Sequence, residues 1–178
     1  MSRQYFGDVI IEPVSVALTT ITATTETVLV PTIFTPIPAN EPRAGKVYKL
    51  TVGGTATTGT AGTLILTPRY GTAIGGVALG ASPTQNYVPS ITNAPFIFEY
   101  YLTFRAIGLA GTNSTAVGSG MWVSNGAVAT AASETVVVAS STGSVSIDTS
   151  VASALWIGVT FSVAPSVVPH WHIWESLN

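Results

Sequence analysis

His170 and His172 are the two histidines of the chain, and a strand would turn both to one face because side chains alternate along it. Two imidazoles so placed can supply two ligands of a zinc site. A third ligand would have to come from Asp8, Glu12, Glu26, Glu134, Asp148 or a neighbouring subunit. The plainer reading is a pair of polar residues on the solvent- or subunit-facing side of a terminal strand. Neither a metal nor a Ser-His-Asp triad is expected.

Glu134 and Asp148 stand near the ends of successive strands and could approach across a hairpin, as paired acid/base carboxylates must. The plainer reading is a turn residue and a solvated rim charge. Glycine-rich stretches at 53–62, 71–80 and 108–120 lack the Lys-Ser/Thr pair and the strand-to-helix context of a phosphate loop. Asn113-Ser114-Thr115 matches the glycosylation triplet, which chance supplies often in a chain rich in Thr and Ser. The chain has no cysteine, which excludes disulfides, thiolate chemistry and Cys-based zinc sites. The expectation is a protein with no catalytic residue, no metal and no cofactor, and therefore not an enzyme.

The elements that would position any side chain are strands. Phe96–Arg105 alternates most clearly: Phe96, Phe98, Tyr100, Leu102 and Phe104 share one face, Ile97, Glu99, Tyr101, Thr103 and Arg105 the other. Ten residues at this period span about 33 Å, and the bulky face is predicted to be core. Ala154–Val163 is the second strong strand, with Leu155, Ile157, Val159, Phe161 and Val163 facing in and Trp156 facing out. In Val168–Glu175, Trp171 and Ile173 oppose His170, His172 and Trp174, which places Trp174 on the outer side.

Tyr48, Leu50 and Val52 share a face in Lys46–Val52, as do Leu64 and Leu66 in the next segment. A short strand is predicted around Met121–Ser124, a hairpin over Thr135–Asp148 turning at Thr142-Gly143, and a long loop with at most one short strand over 71–93. Helix signals are nearly absent in this Val-, Thr- and Gly-rich chain. Eight to ten strands predict an all-β, two-sheet antiparallel sandwich with a jelly roll as its expected form. Residues 1–13 read as an N-terminal arm and 14–178 as a single sandwich domain.

Charge is scarce. Six Lys and Arg with eight Asp and Glu leave 14 ionised residues among 178, where an ordinary domain would carry roughly 44. Charges of both signs keep a free monomer dispersed, so their absence points to a surface covered by other protein. The cations are scattered and the net charge is −2, which argues against nucleic acid. No continuous apolar run is long enough to span a membrane, and no secretory h-region opens the chain. Irregular strand lengths argue against a membrane barrel. Several large residues on the outward strand faces, Ile65, Ile97, Tyr101, Trp156 and Trp174, would form contact patches.

Several segments carry a resemblance. Ile37-Pro38-Ala39-Asn40 with Ala44-Gly45-Lys46-Val47-Tyr48 is similar to segments of small virion proteins of tailed bacteriophages. So are Leu66-Thr67-Pro68-Arg69-Tyr70-Gly71-Thr72 with Leu79-Gly80-Ala81-Ser82, Leu102-Thr103-Phe104-Arg105, and Ile147-Asp148-Thr149 running into Ala154-Leu155-Trp156. The likeness spans roughly 37–163, and some of those proteins resemble jelly-roll head decoration (cement) or head-fibre subunits. It implies a structural protein on the capsid surface of a virion, acting as a homo-oligomer, a trimer favoured, against the major capsid protein or another virion protein. The expected contact residues are Tyr5, Phe6, Ile97, Tyr101, Trp156 and Trp174. The alternative is a fibre or tail module that binds a receptor or carbohydrate by stacking aromatic residues on sugars, with Tyr70, Tyr87, Trp122, Trp171 and Trp174 as candidates.

Overall fold

Val, Thr and aromatic residues at period two build strands along most of the computed structural model, which describes residues 9–10, 18–72, 75–87, 89–109, 113–124, 135–141 and 143–177. In chain order these are β1 (Val9–Ile10), β2 (Thr27–Val28), β3 (Pro36–Ile37), β4 (Val47–Thr58), β5 (Gly62–Gly71), β6 (Val77–Ala78) and β7 (Gln85–Tyr87). Then follow β8 (Ile91–Ala106), β9 (Ser114–Ser124), β10 (Thr135–Ser140), β11 (Val145–Ile147), β12 (Ser153–Phe161) and β13 (Ser166–Ser176). A single 3-10 turn, Thr32–Phe34, is the only helical element among the described residues outside isolated turns.

Two antiparallel sheets pack face to face. One runs β1-β13-β4-β8-β9-β10 with β11 also on β9; the other runs β2-β12-β5-β6 with β3 on β12 and β7 on β5. The pairings nest: β1 with β13, β2 with β12, β4 with β8, β5 with β6 and β7. That is the order obtained by rolling one long hairpin into two sheets, the jelly-roll arrangement. Strands β9 to β11 are an insertion that widens the first sheet beyond β8. Of the expected arm, Val9–Ile10 pair with Glu175 and Trp174 at the sheet edge.

The core lies between the sheets. Phe96, Phe98, Tyr100, Leu102 and Phe104 are all buried on β8, as the alternation predicts, and face Leu155, Ile157 and Val159 of β12 within one hydrophobic cluster. Phe96 stacks on Trp122 at 4.0 Å between centroids and Tyr48 on Trp174 at 5.2 Å. Offset stacking adds to the area that such rings bury.

Several sequence expectations need correction, the first being that β12 ends at Phe161 and leaves Val163, expected to face in, 37 % exposed beyond it. The strand expected at Met121–Ser124 is the end of an eleven-residue β9. Its inward positions are small (Ser114, Ala116, Gly118, Gly120) because the Tyr100 ring lies across both glycines, so no hydrophobic alternation marks it. Strands β10 and β11 do exist, but they pair side by side with β9 and form no hairpin with each other. The stretch 71–93 holds β6, β7 and the start of β8, each too short or too polar to show periodicity.

The fit of Tyr100 over β9 gives a test. A Cβ at Gly118 would overlap the Tyr100 hydroxyl, so Gly118→Ala is expected to cost roughly 3 kcal/mol in denaturant unfolding. Tyr100→Phe removes a buried hydroxyl that has no hydrogen-bond partner, and its stability should stay within about 1 kcal/mol of wild type or rise.

Candidate functional site

The outer face of the first sheet is the first candidate, and strand register assembles it. Gly53 on β4 pairs with Trp171 on one side and Ile97 on the other, and Ile97 pairs in turn with Val123. The Trp171 indole lies flat over Gly53, in the space where any side chain would stand. One row along, Glu99 pairs with Met121; the next row sets Lys49 between Tyr101 and Glu175. Ile97 is 49 % exposed, Met121 45 %, and Tyr101 and Trp171 40 % each.

Charge interrupts this face in one cluster. Lys49 Nζ lies 3.3 Å from Glu99 Oε1, 3.9 Å from Glu175 Oε2 and 5.5 Å from the centre of the Tyr101 ring. Desolvation pulls the Lys49 pKa down, but bonding to Glu99 and the charges around it win and hold it above the ordinary lysine value. The cluster sets one cation against two carboxylates, and the apolar residues around it stay partly exposed.

Ile97 and Tyr101 point outward, as the alternation on β8 predicts. Trp174 does not, and Trp156 points outward but is covered. The reading of β13 is reversed by a bulge between Pro169 and Trp171. Proline offers no N–H to the ladder, and the extra residue beside it shifts the alternation by one. Trp171 and Ile173 thus face out, whereas His172 and Trp174 are buried at 3 % exposure each. Trp174 belongs to the core cluster and donates its Nε1–H to the Pro36 carbonyl at 3.3 Å.

Trp156 does lie on the outer side of β12, but it is fully buried there. The Arg69 guanidinium sits 5.5 Å from its ring centre and binds Glu26 through Nε and Nη2, both at 2.8 Å. Glu26 comes from the segment ahead of β2 and occupies the space that a side chain at Gly158 would need. This segment therefore covers the outer face of the second sheet over Gly158 and Trp156. Tyr5 and Phe6 lie outside the described residues.

The bulge also separates the histidines. His170 is exposed and lies 3.0 Å from the Thr55 hydroxyl, while the His172 ring packs inside, 5.0 Å from Phe34. They share no face, and no group of three His, Asp or Glu able to hold a metal occurs among the described residues. Glu134 lies outside the described residues.

A second candidate is the end of the sandwich where β3–β4, β5–β6, β8–β9 and β11–β12 turn. Thr149, buried at 1 % exposure, ties the β3–β4, β8–β9 and β11–β12 connections together. Its carbonyl accepts from Asn40 N–H at 2.8 Å, and its hydroxyl lies 3.0 Å from that of Ser114, which accepts from Gly108 N–H at 3.2 Å. A cleft of about 440 Å³ opens here between Tyr70, Gly76, Val77, Asp148, Val151 and Ser153. Asp148 accepts from the Ser150 hydroxyl at 2.6 Å and its N–H at 2.8 Å, which hold its pKa below the ordinary 3.8. Sequence reasoning passed over this end because its residues are scattered across some eighty positions.

No protein-family model, no curated protein and no solved structure matches this chain.

Two measurements check these placements. Trp174→Ala should cost about 3–5 kcal/mol of stability, whereas Ile97→Ser should stay within about 0.5 kcal/mol in the same denaturant titration. A carboxyl depressed on folding adds stability above its unfolded pKa and loses it as pH falls through the folded one. The thermal midpoints of wild type and Asp148→Asn should therefore differ by a constant amount near neutrality and converge as pH drops below 3.8.

Proposed function

We propose that this chain is a structural subunit of a tailed-phage virion, a decoration or cement protein of the capsid surface that acts as a symmetric oligomer, a trimer favoured. One observation carries the reading: the outer face of the first sheet presents Ile97, Tyr101, Met121 and Trp171 to water around a single cluster of one lysine and two glutamates. Isolated exposed apolar residues mean little, but several on neighbouring strands form the kind of patch that meets protein. The jelly-roll order, a fold used in viral capsids, and the resemblance over 37–163 support the same assignment.

The mechanism is passive. Each subunit buries its outer face against sister subunits and lattice, and weak contacts summed over a repeated surface stiffen the shell. Effective concentration within the lattice multiplies affinities that are modest singly. Long antiparallel ladders suit this role because a packed two-sheet body transmits force without bending.

The sugar-binding alternative loses its platforms. Tyr70, Tyr87, Trp122 and Trp174 are each at most 4 % exposed, which leaves Trp171 as the one accessible ring of that set. Stacking recognition needs open aromatic faces.

The test uses shells assembled from the major capsid protein encoded alongside this chain, stripped of minor proteins. The full chain is expected to bind them saturably and to raise the temperature at which they rupture. Shells that neither bind it nor gain resistance would refute the assignment.

A further inference from the structure

We infer that the outer face of the first sheet takes a second copy of this chain, related to the first by a two-fold axis running along the strands between β4 and β8. The inference rests on the subunit-contact reading of that face and adds to it the partner and the register.

The strand pairings set the face out in rows of four, in the order β13, β4, β8, β9. One row is Trp171, Gly53, Ile97 and Val123; the next is Ile173, Thr51, Glu99 and Met121. The third is Glu175, Lys49, Tyr101 and Ser119. Among these rows charge enters at Glu99, Glu175 and Lys49, and Arg105 stands two rows further along β8.

A two-fold axis between β4 and β8 lays each row on its own reverse, because β13 then lies over the second copy's β9 and β4 over its β8. In the first row Trp171 meets Val123. Ile97 meets Gly53, over which the second copy's Trp171 indole lies, so it seats on that ring. This contact occurs twice per pair of copies, and buried tryptophans are the anchors that interfaces favour. In the second row Ile173 meets Met121 and Glu99 meets the Thr51 hydroxyl. In the third Lys49 meets the face of Tyr101, a cation on a π-system, and Glu175 meets Ser119. Apolar side chains thus oppose apolar ones, and no charge of these rows opposes a like charge.

The other face-to-face arrangement fails that condition. Turning the copy end over end about the middle row sets Glu99 against Glu99 and Trp171 against Glu175, and like charges across an interface are costly. The size of the face also suits a second copy. Four strands about 4.8 Å apart and about ten residues long present roughly 650 Å², close to the ~800 Å² per partner of a stable interface.

The experiment uses the full chain, which has no cysteine, so that Ile173→Cys and Met121→Cys each carry one thiol. Across the proposed axis Ile173 and Met121 of different copies stand about 10 Å apart, whereas two copies of either position stand about 17 Å apart. A short bismaleimide is therefore expected to cross-link a mixture of the two variants several times more than either alone. Ile97→Lys, at a half-exposed position, is expected to weaken the pairing at least about tenfold, read as a fall in solution mass by light scattering. A far-ultraviolet spectrum equal to that of wild type would establish that it folds. The wild-type mass should be an even number of chains: two, or six where the favoured trimer pairs through this face. A mass of three chains, or equal cross-linking in the mixture and in the single variants, would overturn the pairing. Wild-type binding to stripped shells would then still uphold the capsid reading. Loss of shell binding by Ile97→Lys with its mass unchanged would assign the face to the lattice and overturn the second copy as its occupant. A mass of one chain would overturn the pairing together with the oligomer on which it rests.

Discussion

An apolar sheet face stands free in water only when charges break it up, and among the described residues most of the few charges are tied into fixed pairs. Lys49 is held between Glu99 and Glu175, and Arg69 is locked on Glu26. Neither pair leaves a cation free to reach over its neighbours. What remains between them is Thr, Ser, Gly and large apolar side chains. The oligomer, the lattice contact and the passive mechanism all follow from that one shortage.

The two sheets answer it differently. The second sheet covers its own large ring: the segment ahead of β2 lays Glu26 over Gly158, Arg69 clamps it, and Trp156 disappears beneath. Glycine at 158 is what makes room. On the first sheet a glycine again admits a neighbour, at Gly53, but the neighbour is Trp171 of the adjacent strand and the face stays open. The outward tryptophan of the second sheet is thus covered by the subunit itself, whereas Trp171, Ile97 and Tyr101 on the first stay exposed. That asymmetry is why we assign the first sheet to subunit contact.

Much of the fold was legible in the residues. Five bulky inward positions on β8 fixed its core face without help from any neighbour. Tyr48, Leu50 and Val52 did the same for β4. Legibility ended where a distant residue decides burial. Nothing near Trp156 announces that Glu26 and Arg69 will cover it. Trp174 was misplaced because one bulged residue reverses a whole strand; Pro169 was the available signal. Strand β9 hid behind small residues because a ring from β8 fills their space. The exposed end was invisible for another reason: single aliphatic residues in polar turns carry no pattern until the topology gathers them. Of the contact residues expected from sequence, Ile97 and Tyr101 do stand on the open face, whereas both tryptophans are inside.

The most direct measurement is the solution mass of the full chain by light scattering on a sizing column, at neutral pH and micromolar concentration. A covered outer face predicts a stable oligomer, about three times the 18.3 kDa chain for the favoured trimer. A well-behaved species at the mass of one chain, unchanged as concentration rises, would contradict the account.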